Sequence, residues 1–200
     1  MTAASLAALL AEVRGCRACG AQLPLGPRPV LRAAATARVL IAGQAPGTRV
    51  HESGVPWNDA SGVRLRRWLG LEPETFYDES RIAIVPMGFC YPGRDAAGGD
   101  RPPRPECARL WRAPVLAALP AVELTLAIGG YAQAWHLGAR GRGSVTANVA
   151  AWREFTPTCF PLPHPSWRTV AWERRHPWFG GELLPALRER LDKLLATGLS

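Results

Sequence analysis

The chain has 200 residues, 48% hydrophobic and 20% charged, with a formal net charge of +8. That balance excludes a disordered or fibrous chain and is long enough to bury one core without staples. The positive excess favours a polyanionic partner, most economically nucleic acid, although solubility alone also accounts for it.

No stretch approaches the roughly 18 apolar residues of a membrane span, so no membrane association is expected. The opening MTAASLAALLAEVRGC has no early positive charge and contains Glu12, which reads as an amphipathic helix over 2–13, not a signal peptide. A cytoplasmic protein follows, expected to be a monomer, whose five cysteines are reduced or metal-bound. Gly15 and a Cys16-x-x-Cys19 pair end the helix, and a Pro- and Gly-rich stretch leads to an apolar strand, Val39 to Ala42. A Gly43-Gln44-Ala45-Pro46-Gly47 turn comes next, then a polar loop with Trp57 and Asp59, then a helix starting near Ser61 with Leu65, Trp68 and Leu69 inward. A second strand is expected from Ile82 to Met87, leading into Cys90. The segment 91–107 reads as a long irregular loop, and such loops are usually functional. A helix through Cys107–Leu119 with a kink at Pro114 leads to a third strand, LTLAIGG, and a further helix. A fourth strand, from Cys159, leads to a turn at His164, and an amphipathic helix over 181–197 closes the chain. Strands alternating with helices predict a three-layer α/β/α sandwich around a mostly parallel four-stranded sheet. No repeat or linker divides the chain, so residues 1–200 are expected to form one domain. A strand, tight turn and helix in that order place a site at the carboxyl edge of the sheet.

Cys16-x-x-Cys19 alone fits a zinc ribbon, a redox pair or coincidence. Cys90 and Cys107, each beside a Pro/Gly-rich segment, complete a set of four thiolates able to hold zinc or a 4Fe–4S cluster. Four unrelated reduced cysteines is the plainer alternative, but packing has little use for cysteine in loops. Cys159, in an apolar strand, reads as a buried thiol.

The GQAPG turn after a strand, the later G-x-P-W-x-D-x-S-G, the four cysteines and the late His164-Pro165-Ser166 together resemble the uracil-DNA glycosylase superfamily, closest to its iron–sulfur families 4 and 5. The resemblance runs from about Cys16 to Phe179. It implies a structural 4Fe–4S cluster on Cys16, Cys19, Cys90 and Cys107, with zinc as the alternative, and DNA containing uracil or another deaminated base as the partner. It further implies a monofunctional glycosylase of base-excision repair. A stacked base is out of reach, so such an enzyme flips the nucleotide into a pocket and reads it there. Cleavage leaves an oxocarbenium-like sugar and a base anion, which call for a negative or water-activating group and a donor at the base oxygen.

The resemblance assigns base stacking to Trp57, the donor to His164, and phosphate contacts to Ser166 and Arg168. Against these stand a Trp plugging the core, an ordinary turn residue and a solvated cation. Gly43, Gln44 and Ala45 form the cradle: the Gln44 side chain holds water or base, and the Gln44 and Ala45 N–H groups bind base oxygens. One branch carries glutamate, and the best-known enzymes aspartate, where this chain has Gln44 and Ala45, neither of which is charged. Glu52 and Asp59 are the nearby acids. Asp59 matches a family 5 aspartate and is taken as the water-activating group, with helix capping as its alternative role. Family 4 also carries an asparagine before its third cysteine, where this chain has Pro86 and Met87. Backbone groups around Met87–Phe89 are expected to read the base edge, which widens the scope towards hypoxanthine or xanthine. Thr169 departs from an amide in the closest relatives. The competing reading is a non-catalytic DNA-binding relative. A small-molecule nucleotide hydrolase is disfavoured, because GQAPG lacks the P-loop Lys-Ser/Thr and the dinucleotide glycines.

Overall fold

The computed structural model describes residues 3–96 and 98–196. Strands β1 (Val39–Ala42), β2 (Ile82–Ile84), β3 (Leu124–Ile128) and β4 (Cys159–Leu162) form one sheet in the order β2-β1-β3-β4. Every pairing is parallel, so each connection crosses over the sheet and helices cover both faces.

The two-residue period of β1 sorts the core. Val39 and Ile41 share one layer with Ile84 and Leu126, and meet Leu65, Trp68 and Leu69 of the helix Ala60–Leu69. The same layer takes Leu187 and Leu191 of the closing helix Leu184–Ala196. Leu40, with Ala83 and Val85, points the other way, onto Leu6, Leu10 and Val13 of the helix Ala3–Arg14. Ala42 and Ala127 face Leu137, at the end of the helix Gly129–Leu137. The expected α/β/α layering and parallel sheet are what the chain forms. The expected helix limits Thr2 and Thr197 lie outside the described residues.

Three expectations change. β2 stops at Ile84 instead of Met87, because Pro86 has no N–H to continue a ladder. Beyond it, Met87 N–H donates to Gly43 O at 2.8 Å. Part of the loop expected over 91–107 is a small hairpin. Arg94 bridges Asp100 in antiparallel fashion, Arg101 N–H donates to Gly93 O at 2.9 Å, and Asp95 N–H to Gly99 O at 2.8 Å. Gly93 and Gly98, at φ +91° and +77°, make the reversal possible.

The expected kink at Pro114 takes another form. Helical structure runs over 105–117, but Ala108–Arg112 take the wider π turn just before Pro114, which absorbs the missing donor. That turn carries Arg112, a fully buried cation. Its Nη1 donates to Pro86 O at 2.9 Å and to Val85 O at 3.3 Å, holding the end of β2 in place. Its Nη2 lies 2.6 Å from His136 Nε2. A guanidinium only donates, so His136 accepts there and stays neutral, its pKa pushed down to about 4 by burial and by the Arg112 charge.

Candidate active site

The carboxyl ends of the strands open into a cavity of ≈ 90 Å³ lined by Gly43, Gln44, Ala45, Trp57, Asp59 and His164. A single water needs roughly 10–15 Å³ on this kind of measure, so the space suits a flat ring with waters. Six of the eight residues assigned to catalysis or substrate binding from the sequence thus meet in one place. Ser166 and Arg168 do not line the cavity.

Trp57 is held there against its own backbone preference. It is the single non-glycine residue at positive φ (+56°) among the described residues, a conformation costing about 1–2 kcal/mol for an L-residue. The surroundings over-determine it. The Tyr77 hydroxyl donates to Trp57 O at 3.3 Å. A Cβ on Gly62 would lie 1.7 Å from that same carbonyl, and one on Gly43 would lie 2.8 Å from the Trp57 ring. Two glycines therefore let the loop and ring sit where they do. The ring packs partly on the core and also lines the cavity. Its centroid is 5.8 Å from that of His164, with the planes tilted by 33°.

Asp59 also holds both positions considered for it. It is the N-cap of the helix Ala60–Leu69, Oδ1 accepting from Gly62 N–H at 2.8 Å, and it faces the cavity. His164 follows β4, and its carbonyl is gripped by Ser166 N–H at 2.8 Å and by the buried Thr169 hydroxyl. Thr169, which sequence reasoning noted only as a departure, thus fixes the histidine loop. Crowding by protein atoms pulls the His164 pKa below its usual 6.5, while the charges of Asp59 and Asp100 pull it back up. The residue as a whole remains exposed to solvent.

The cradle is tied down through its carbonyls. Gln44 O accepts from Gly88 N–H at 2.8 Å, matching the Met87 bond to Gly43 O, and Phe89 N–H donates to Cys107 Sγ at 3.4 Å. The N–H groups of Met87, Gly88 and Phe89 are therefore engaged within the protein. Among the described residues, no protein acceptor takes the N–H of Gln44 or Ala45. The Gln44 side-chain Nε2 donates to Arg101 O at 3.0 Å, leaving its oxygen for water or base. Glu52 is exposed and does not line the cavity. A carboxylate that sequence reasoning missed does: Asp100, from the hairpin. Three residues beyond His164, Trp167 is 77% exposed, with the Arg168 guanidinium 5.3 Å from its ring centroid.

Cys16, Cys19, Cys90 and Cys107 line one small pocket with Phe89, Arg104 and Trp111. All are free thiols. Burial raises the Cys90 pKa to about 11, and the charges of Cys107, Cys16 and Cys19 add to the rise. Burial likewise raises Cys107, with further contributions from Cys19 and Cys16. Phe89 N–H and the Arg104 side chain direct donors at Cys107 and Cys19. The donor set and its N–H···S contacts suit a soft metal centre. As placed, no three His, Cys, Asp or Glu side chains among the described residues stand in metal-holding positions. Cys159 is buried, its pKa raised by burial to about 11, as befits an inert core thiol. No described helix is long and apolar enough to cross a membrane.

A cavity at the carboxyl edge of a parallel sheet, formed by a GQAPG turn, a strained tryptophan loop and a histidine after the last strand, is the arrangement the motifs implied. Residues 31–188 match the family described as the Uracil DNA glycosylase superfamily. The chain therefore belongs to the uracil-DNA glycosylase superfamily.

Proposed function

We propose that the protein hydrolyses the N-glycosidic bond of uracil, and of other deaminated bases, in DNA. The observation that carries this is the convergence of Trp57, Asp59 and His164 on one cavity with the unpaired N–H groups of Gln44 and Ala45. A flipped base stacks on the Trp57 ring, already stationed by Gly43 and Gly62. The free N–H pair and a neutral His164 donate to base oxygens as the C1′–N bond breaks, stabilising the developing anion without delivering a full positive charge. Asp59 supplies negative charge under the oxocarbenium-like sugar. Lys193, the sole lysine, lies in the closing helix and does not line the cavity, so no lysine serves Schiff-base lyase chemistry and the reaction ends at an abasic site.

Trp167 and Arg168 form the outer contact. An exposed aromatic ring on a rigid turn can wedge between base steps, with Arg168 and Ser166 on phosphates. Stacking of this kind is worth about 1–3 kcal/mol. Trp167→Ala should therefore slow cleavage of duplex substrate about 5- to 100-fold while changing single-strand cleavage little. Equal loss on both strands would move Trp167 out of the wedge role.

Oligonucleotides carrying uracil or hypoxanthine, single- and double-stranded, test the activity after alkali cleavage of abasic sites. No strand breaks with enzyme in excess would leave the second reading, a DNA-binding relative without catalysis, which the uncharged Gln44 and Ala45 favour.

The four pocket cysteines would hold a 4Fe–4S cluster that ties the N-terminal segment to Cys90 and Cys107. Such a cluster supplies structural cross-linking rather than chemistry at the base. Anaerobically purified protein should be brown, contain iron and acid-labile sulfide, and lose both in Cys90→Ser. A colourless protein containing zinc would replace iron by the alternative metal.

A further inference from the structure

We infer that Asp100, at the base of the 93–101 hairpin, is the residue that takes the proton from the attacking water. This rests on the glycosylase reading above. The turn that opens the cavity has no acid of its own, and of the acids near it in sequence Glu52 does not line the cavity. Asp59 has one carboxylate oxygen committed to the Gly62 N–H, which suits it to holding charge more than to receiving a proton. Asp100 is the remaining carboxylate on the cavity wall, about 55% exposed in its side chain and only loosely paired with Arg94 at 4.0 Å. A surface pair at that distance contributes little and leaves the carboxylate available.

The hairpin is held in place over the turn. Gln44 Nε2 donates to Arg101 O at 3.0 Å, one residue beyond Asp100, and Arg101 N–H closes the hairpin onto Gly93 O. Gln44, the residue standing where a relative has an acid, thus anchors the segment that supplies one. Asp100 and His164 both line the cavity, and the Asp100 charge acts on His164 there, pulling its pKa up against the lowering by burial. In the step, the C1′–N bond breaks with its electron pair leaving on the base. The water oxygen forms the new C1′–O bond as its proton passes to Asp100. The base anion, hydrogen-bonded by His164 and the turn, then takes a proton from solvent, and Asp100 returns its own to solvent. Atoms and charge balance, and the products are free base and abasic DNA.

Asp100→Asn, nearly isosteric and half-exposed, should lower the single-turnover rate about 10²-fold. Its affinity for an oligonucleotide carrying an uncleavable 2′-fluoro uracil nucleotide should remain that of the parent. The acid limb of the rate–pH profile should become shallower in Asp100→Asn, where Asp59 is left as the one carboxylate that must be ionised, and keep its slope in Asp100→Glu, which should recover part of the rate. Gln44→Ala, which frees the hairpin, should lower the rate without flattening that limb. Active parent protein with an equally active Asp100→Asn variant of unchanged melting temperature overturns the inference and leaves the glycosylase reading intact. So does a slow variant whose acid limb is unaltered. A parent inactive on every substrate removes both.

Discussion

Replacing His164 by alanine should cost about 10²–10³-fold in the single-turnover rate of base release, the usual loss when one donor to a developing anion is removed. The effect should belong to the rate and not to DNA affinity, because His164 faces the cavity beside Trp57, while the outer contacts proposed above are Trp167 and Arg168. Its pKa is held below 6.5 mainly by the protein packed around it, so the ring is neutral at pH 7. The rate in the parent should therefore not fall between pH 7 and 8 through loss of a histidine proton, as it would if an imidazolium were required. Asp59→Asn should lose a comparable factor, but with a different signature. Asparagine still caps a helix well, so the variant should melt within about 2 °C of the parent and fail only in rate. An Asp59→Asn protein with full activity would confine Asp59 to its cap. A His164→Ala protein with full activity would take the histidine out of the reaction.

Gly62→Ala should be the most damaging small substitution in the chain, although helix propensity alone predicts the opposite. Alanine is favoured over glycine by roughly 1 kcal/mol inside a helix, and Gly62 lies within the helix Ala60–Leu69. Its Cβ would stand 1.7 Å from the Trp57 carbonyl oxygen, a backbone atom that no rotamer change moves. The loop must be expelled, losing the Tyr77 bond to that carbonyl and the packing of the Trp57 ring. Overpacking of this kind costs about 1–3 kcal/mol; for a domain of this size that is roughly 2–10 °C in Tm. Base release should fall with it, since Trp57 leaves the cavity. Gly43→Ala separates the two effects. Its Cβ meets only the ring edge of Trp57, at 2.8 Å, so activity should drop with little change in melting. Parental melting and parental activity in Gly62→Ala would refute the close approach.

The architecture was readable from the chain because it depends on local periodicity. Short apolar runs at Val39–Ala42, Leu124–Ile128 and Cys159–Leu162 alternate with helical stretches, and the parallel sheet with helices on both sides follows. Trp57, Asp59 and His164 were also legible, since each breaks the period around it: an aromatic in a polar loop, an acid before a helix, a histidine between prolines. Where local pattern and backbone chemistry conflicted, the reading slipped. Pro86 cut β2 short, and Pro114 was met by a π turn. The Met87–Phe89 N–H groups could not be known to be taken, because their acceptors Gly43, Gln44 and Cys107 are non-local.

Composition, periodicity and motif order by themselves determined the layered fold, the edge of the sheet where the site lies, and the four cysteines that gather in one pocket. Tertiary structure alone decided which acids reach that site. Asp100 enters through a hairpin more than forty residues from the turn it faces, and Glu52, much nearer in sequence, is left outside. Distance along the chain says nothing about a cavity wall assembled from several crossovers of a parallel sheet. The positive φ of Trp57 and the two glycines that permit it belong to the same class. A close approach between backbone and ring exists only once the loop, the helix and β1 have been packed together.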